Sequence, residues 1–309
     1  MDYRAFLKEP IRVPSGGLVY EVKPGTSVRN LARDLRRRDV IRHPLYLTLH
    51  ARLAGLDGRI QAGEYRISPG LTPGGLLDLL TSGRTVQARL TIPEGWTFRQ
   101  MLAAIQAHPK IRSVIEPGQD VMALLGQPGM APEGWFFPET YYFPKGTTDL
   151  EFLRRAHREM QRRLGEAWRA RAQDLPLESA YQALILASIL EKETSRKEEY
   201  PLVAAVFVRR LERGMKLQTD PTVIYGMGAR FDGNLRRRDL REDTPYNTYV
   251  HKGLPPTPIC LPGADALWAA THPADAPYLY FVSKGDGTHY FSKTYKEHQK
   301  AVRKYQLRR

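Results

Sequence analysis

A chain of 309 residues has room for about two domains of ordinary size, each with its own core, and so is not a mini-protein. Apolar residues at 42% and charged residues at 26%, with 25 Gly and 23 Pro spread along the chain, exclude a disordered tail and a collagen-like polymer. The 47 Lys and Arg against 33 Asp and Glu give a net charge of +14, which invites a polyanionic partner such as anionic lipid, acidic wall polymer or nucleic acid.

The single cysteine, Cys260, excludes an intrachain disulfide and a multi-cysteine zinc site. The longest mainly apolar run, Tyr181 to Leu190, falls short of the roughly 20 residues a bilayer requires. The opening Met1-Asp2-Tyr3-Arg4 does not read as a signal peptide. Positive charge concentrates in Arg29 to Arg42, Arg154 to Arg171 and Lys293 to Arg309, where acids or apolar residues intervene at helical spacing. Such runs read as solvated helix faces. No zinc-finger spacing, RNA-binding aromatic signature or Walker loop accompanies them, so no nucleic-acid partner is assigned.

Along the chain, Val22-Lys23-Pro24-Gly25-Thr26, Ile67-Ser68-Pro69-Gly70-Leu71-Thr72 and Ile92-Pro93-Glu94-Gly95-Trp96-Thr97 each precede an apolar-periodic stretch. Each reads as strand, turn, helix, with Pro and Gly closing the strand and Thr capping the helix. Residues 17 to 83 hold the first two around a helix near Leu45 to Leu53, which predicts a β-α-α-β module ending near Thr85. The aromatic stretch Glu133 to Pro144 is rich enough in Pro and Gly to be expected as an irregular loop, either capping the core or stacking on sugar rings.

A helix over Asp149 to Arg171 is followed by another over Tyr181 to Glu193, apolar at almost every position from Ala183 to Leu190. An amphipathic helix spans Glu198 to Gly214, and in the next helix Asp220 is expected as N-cap with Pro221 at the first position. Proline-stiffened loops over Thr244 to Tyr249 and Gly253 to Pro258 suit a groove wall. A short helix over Ala264 to Thr271, a hairpin turning at Lys284-Gly285-Asp286-Gly287, and a basic helix complete the chain. The fold class is therefore α+β.

Chemistry concentrates at Glu191. A carboxyl at the end of a buried helix is held protonated by its surroundings, as a general acid near neutral pH requires. Glu193, two residues on, points elsewhere and does not serve the same site. Gln218, Thr219 and Tyr225 offer amide, hydroxyl and phenol groups suited to sugar hydroxyl and acetamido groups. His251, His272, His289 and His298 lack metal-ligand spacing, and no Gly-x-Ser-x-Gly elbow occurs. No metal or cofactor is expected.

Several segments resemble the endolytic murein transglycosylases, also called YceG-like or MltG-like. They are Ala187-Ser188-Ile189-Leu190-Glu191-Lys192-Glu193-Thr194, Val206 to Leu211, Met215 to Gly226, Pro245-Tyr246-Asn247-Thr248-Tyr249, Gly253-Leu254-Pro255-Pro256 and Pro277 to Val282. The resemblance is strong from about Glu133 onward and weaker over Leu18 to Thr85, where it implies a LysM-like module. It implies a division into a linker over 1–16 behind a removed membrane anchor, a LysM-like βααβ module over 17–85, and a larger mixed α+β catalytic domain over 86–309.

The resemblance also implies cleavage of nascent peptidoglycan between N-acetylmuramic acid and N-acetylglucosamine, leaving 1,6-anhydro ends, with Glu191 as general acid and then base. Gln218, Thr219, Tyr225, Tyr246 and Asn247 are its implied substrate-binding positions. The implied partners are glycan strands, cell-wall synthase complexes and the bacterial inner membrane, with the catalytic part facing the periplasm. A hydrolytic muramidase pairing Glu191 with a second acid, and a noncatalytic wall-binding scaffold, are the alternatives.

Overall fold

The computed structural model describes residues 2–307, which form an α+β protein of two compact units. The first runs to Leu90 and takes in His108–Arg112 and Tyr141–Thr148. The second comprises Thr91–Ala107, Ser113–Thr140 and the chain from Asp149 onward. Among the described residues no helix is long and apolar enough to cross a membrane.

In the first unit, helix α1 (Tyr3–Lys8) occupies part of the stretch expected as a linker. Asp2 caps it by accepting from the Ala5 amide at 2.7 Å, and Phe6 enters the core. Strand β1 (Leu18–Val22) is followed by α2 (Val28–Arg37), α3 (Pro44–Leu53), β2 (Gly63–Ile67) and α4 (Pro73–Thr81). The β-α-α-β order predicted from the sequence is thus present, with a further helix closing it. β1 and β2 pair antiparallel with Tyr20 opposite Tyr65. Strand alternation turns Tyr20, Val22, Tyr65 and Ile67 onto the helices, where Leu31, Leu35, Leu47 and Leu76 fill the core. Ser27 rather than Thr26 caps α2, because the Thr26 hydroxyl donates to Lys23 O instead; Thr72 caps α4 as predicted.

Strand β3 (Gln87–Thr91) leads into α5 (Phe98–Ala107), and α6 (Val121–Leu124) precedes β4 (Thr140–Pro144), the partner of β3. β4 lies in the aromatic stretch expected to be irregular. Tyr141 and Phe143 are buried and Tyr142 is exposed, a two-residue period that marks a strand. Its proline stands at the last position, so a missing N–H within the strand is not incurred.

The second unit is built on α7 (Asp149–Arg169), α8 (Ala180–Glu193), α9 (Tyr200–Glu212), α10 (Asp220–Met227) and α11 (Ala264–Thr271), with hairpin β5 (Tyr280–Ser283) and β6 (His289–Ser292) and then α12 (Tyr295–Tyr305). Buried Asp149 ties the start of α7 to the segment before α6 by accepting from the Val114 and Ile115 amides. α8 begins where Ser179 accepts from the Gln182 amide, and every residue from Ala183 to Leu190 is buried. Ala266, Ala269 and Ala270 let α11 lie close against it, while Phe207 and Val203 of α9 complete the surround. Leu186→Ala removes a fully buried side chain from this packing and is expected to cost about 2–5 kcal/mol, read as a lower denaturation midpoint for the second unit.

Candidate active site

The last turn of α8 brings Glu191 out of the core half-buried. Three links hold the loop Ile259–Gly263 against it. Ile259 N donates to Ser188 Oγ at 3.0 Å, Cys260 Sγ lies 3.3 Å from Ser188 O, and Gly263 N donates to Glu191 Oε2 at 2.9 Å. The same loop is bound to the turn after β3, with Gly95 N donating to Leu261 O and Leu261 N donating to Trp96 O. The second carboxylate oxygen, Oε1, accepts from the Tyr200 hydroxyl at 3.2 Å. A Cβ at Gly263 would meet the Glu94 carboxyl, so a side chain here would displace Glu94 from its place beside the acid.

Around this acid lies a charged group of three. Lys197 Nζ reaches Glu94 at 2.8 Å and Asp265 at 2.9 Å, both partly exposed. Burial pushes the Glu191 carboxyl above the ordinary range, and the negative charge of Glu94 adds to that. The Gly263 amide, the Tyr200 phenol and the Lys197 ammonium act in the opposite direction, with burial the largest effect. The result is an acid disposed to hold its proton while both oxygens are fixed in place. Of these partners, Glu94, Lys197, Tyr200, Gly263 and Asp265 were not singled out by sequence reasoning. Glu94 stands in the Pro-Glu-Gly turn before α5, but nothing in that pattern links it to position 191.

Glu193 does point elsewhere, as its spacing predicts. It accepts from the Thr219 hydroxyl at 2.6 Å and borders a separate cavity of about 430 Å³ with Arg210, Gln218 and Asp220. Surrounding protein pushes its carboxyl up to about 6, with Asp220 adding to the rise and Thr219, His289 and Arg210 opposing it. Gln218 lies at this cavity with its backbone in the left-handed region at φ 51°. Thr219 is 1% exposed, and its amide is taken by Thr248 Oγ1 as its hydroxyl is taken by Glu193.

Tyr225 and Tyr246 meet edge to face at 5.0 Å, beside a third buried acid. The Tyr225 hydroxyl donates to Glu133 Oε2 at 3.1 Å, and Phe98 N donates to Oε1 at 2.8 Å. Burial raises the Glu133 pKa too. Tyr246 shares a hydrogen bond with Thr257 at 2.9 Å. Asn247 is fully buried: its amide nitrogen donates to Asp239 O and Glu242 O, and its oxygen accepts from Tyr249 N. Asp220 is not the cap of α10. The cap position is Thr219, and Asp220 Oδ1 accepts from the Tyr249 hydroxyl at 2.6 Å. Among the described residues no group of three His, Cys, Asp or Glu is placed to hold a metal ion.

The sequence matches the profile of the YceG-like family over residues 20–304. It is 34% identical to the endolytic murein transglycosylase of Bacillus subtilis (strain 168), across 98% of this chain and 89% of that protein. The endolytic murein transglycosylase of Streptococcus pneumoniae serotype 2 is 26% identical across 91% of this chain, which spans 57% of that longer protein. The crystal structure of a YceG-like protein from Listeria monocytogenes, 29% identical, superposes with a TM-score of 0.58 over 92% of this chain and 98% of that one.

The opposing influences on Glu191 can be separated by carboxyl-carbon NMR titration. Tyr200→Phe deletes a donor to the charged form and is expected to move the Glu191 pKa further up; Glu94→Gln deletes a like charge and is expected to move it down. Glu193 has a measurable effect on stability. With a folded pKa of about 6 against 4.5 for the ordinary carboxyl, its contribution is fully present below pH 4.5 and is lost as pH rises through 6. The loss levels off at about 2 kcal/mol, and Glu193→Gln is expected to abolish that part of the pH dependence in denaturant unfolding.

Proposed function

The chain belongs to the YceG-like family, and from that membership we propose that it is a lytic murein transglycosylase with Glu191 as its acid and base. The observation that carries the assignment is a half-buried carboxyl at the end of an apolar helix, fixed by one amide and one phenol. In its protonated form Glu191 delivers its proton to the bridging glycosidic oxygen as the bond from C1 of N-acetylmuramic acid to that oxygen breaks. The C6 hydroxyl of the same sugar then attacks C1, and the carboxylate takes up the proton that hydroxyl releases. Atoms balance without water. Because the nucleophile belongs to the substrate, one carboxyl serves both steps.

A hydrolytic muramidase needs a second carboxylate to act as nucleophile or to activate water across from the acid. The neighbouring Glu94 is drawn onto Lys197, an arrangement that favours the lyase. Tyr225 and Tyr246 are proposed as aromatic wall for the glycan, while Thr219 and Asn247, whose polar groups are spent internally, are proposed as positioning residues. The β-α-α-β order of the first unit supports reading residues 17–85 as the LysM-like module, a second contact for glycan. The family resemblance supports association with synthase complexes and attachment to the inner membrane with the catalytic part in the periplasm.

Glu191→Gln tests the assignment in a digest of purified sacculi. Release of new ends is expected to fall by about a hundredfold to ten-thousandfold, and wild-type products are expected to be lighter by one water than hydrolysis products. Products of hydrolytic mass would establish the muramidase, and sacculus binding without new ends would establish the scaffold. Activity is expected to decline as pH rises through the elevated Glu191 pKa, since the working form is protonated.

A further inference from the structure

The cavity beside Glu193 contains a set of charges that the cleavage reaction does not use. Arg210 is 7% exposed, and Nε and Nη1 donate to Leu279 O at 2.8 Å and Leu217 O at 2.6 Å. Nη2 has no acceptor among the described residues, and no carboxylate among them lies within salt-bridge distance of the guanidinium. Across the same cavity, Glu193 Oε2 and Asp220 Oδ1 each accept one internal hydroxyl, from Thr219 and Tyr249 respectively. Their other oxygens, Oε1 and Oδ2, carry no such bond. Tyr280 covers one face of Arg210 at 5.2 Å, and Tyr249 lines the opening.

Glu193 balances part of the Arg210 charge from a distance, but a buried guanidinium is fully satisfied only when an anion also hydrogen-bonds its free nitrogen. A neutral sugar stacked on the tyrosines leaves that nitrogen without a charged acceptor. A simple anion completes it but meets Glu193 and Asp220. A ligand with a carboxylate for Arg210 and an ammonium for the two acids satisfies all three, and about 430 Å³ suits a single amino acid or a dipeptide.

We propose that this cavity is a second binding site, taking the zwitterionic head of an amino acid or short peptide with its carboxylate on Arg210 and its ammonium on Glu193 and Asp220.

Calorimetric titration of the full chain with D-alanyl-D-alanine and with L-alanyl-L-alanine, each beside its N-acetylated and its C-amidated form, tests the site. At least one dipeptide is expected to saturate, and each blocked form to bind at least about tenfold more weakly. Glu193→Gln is expected to weaken the zwitterion by about tenfold and leave the N-acetylated form unchanged. Glu191→Gln is expected to retain full binding. Absence of saturation by about 10 mM, indifference to blocking either end, or indifference to Glu193→Gln overturns the proposal; loss of binding in Glu191→Gln shows one site rather than two. Failure of the proposed function is distinguishable, since it appears as wild-type protein that binds dipeptide and does not cut sacculi.

Discussion

The site depends on a helix that is buried for eight consecutive residues, seven of them apolar, and then presents an acid. α8 has no polar face to turn toward water between Ala183 and Leu190, so α7, α9, α10 and α11 must enclose it. The enclosure stops where α8 stops. Glu191 thus meets low dielectric on the side of the core and open surface on the other, without any residue having to be strained into place. Ser188, one turn earlier, supplies the acceptor for Ile259 N that brings the loop ending at Gly263 to the carboxylate. The same packing that stabilises the unit therefore delivers the amide that fixes its acid.

That amide links the acid to a neighbouring group of charges. Gly263 is both the residue whose N–H holds Glu191 and the N-cap of α11, and the space where its side chain would go is filled by Glu94. Glu94 and Asp265 in turn converge on Lys197, just ahead of α9. These ion pairs are partly exposed, and such pairs contribute little to stability. Their effect is local: a like charge beside Glu191 favours its protonated form, and the ammonium limits how far that goes. Residues from 94 to 265 thus meet at one carboxyl through short-range contacts within a single unit.

Helix positions, and the emergence of a carboxyl at the end of a buried helix, were legible because they rest on local pattern. The run Ala183 to Leu190 implies burial wherever it folds, α11 runs from Ala264 to Thr271 as its flanking Gly and Pro indicate, and the Gly-Asp-Gly turn forms a hairpin. Tertiary partners were not legible in that way. Nothing near Tyr200 or Gly263 in sequence encodes a contact with position 191. Polar residues in a recognisable motif were also ambiguous: Asn247 has the chemistry to bind a sugar, but spends it on Asp239, Glu242 and Tyr249 to shape a loop. Prolines around residues 138 to 144 disguised β4, since a composition-based reading does not distinguish a proline inside a strand from one at its end.

Two acids on the last turn of one helix complicate any pH-dependent property of this chain, because both are shifted upward. Their surroundings nonetheless differ in a way that separates them. Desolvation dominates both, but Glu191 also responds to Glu94 and Lys197, whose charges stand near solvent and are screened by salt. Glu193 answers instead to Asp220, His289 and Arg210, a separate set of charges at its own cavity. Raising ionic strength therefore acts on the electrostatic part of the Glu191 shift and leaves the burial part of both untouched. A helix of 3.6 residues per turn places side chains two apart about 200° from one another, which is why one turn presents its acids to two separate environments.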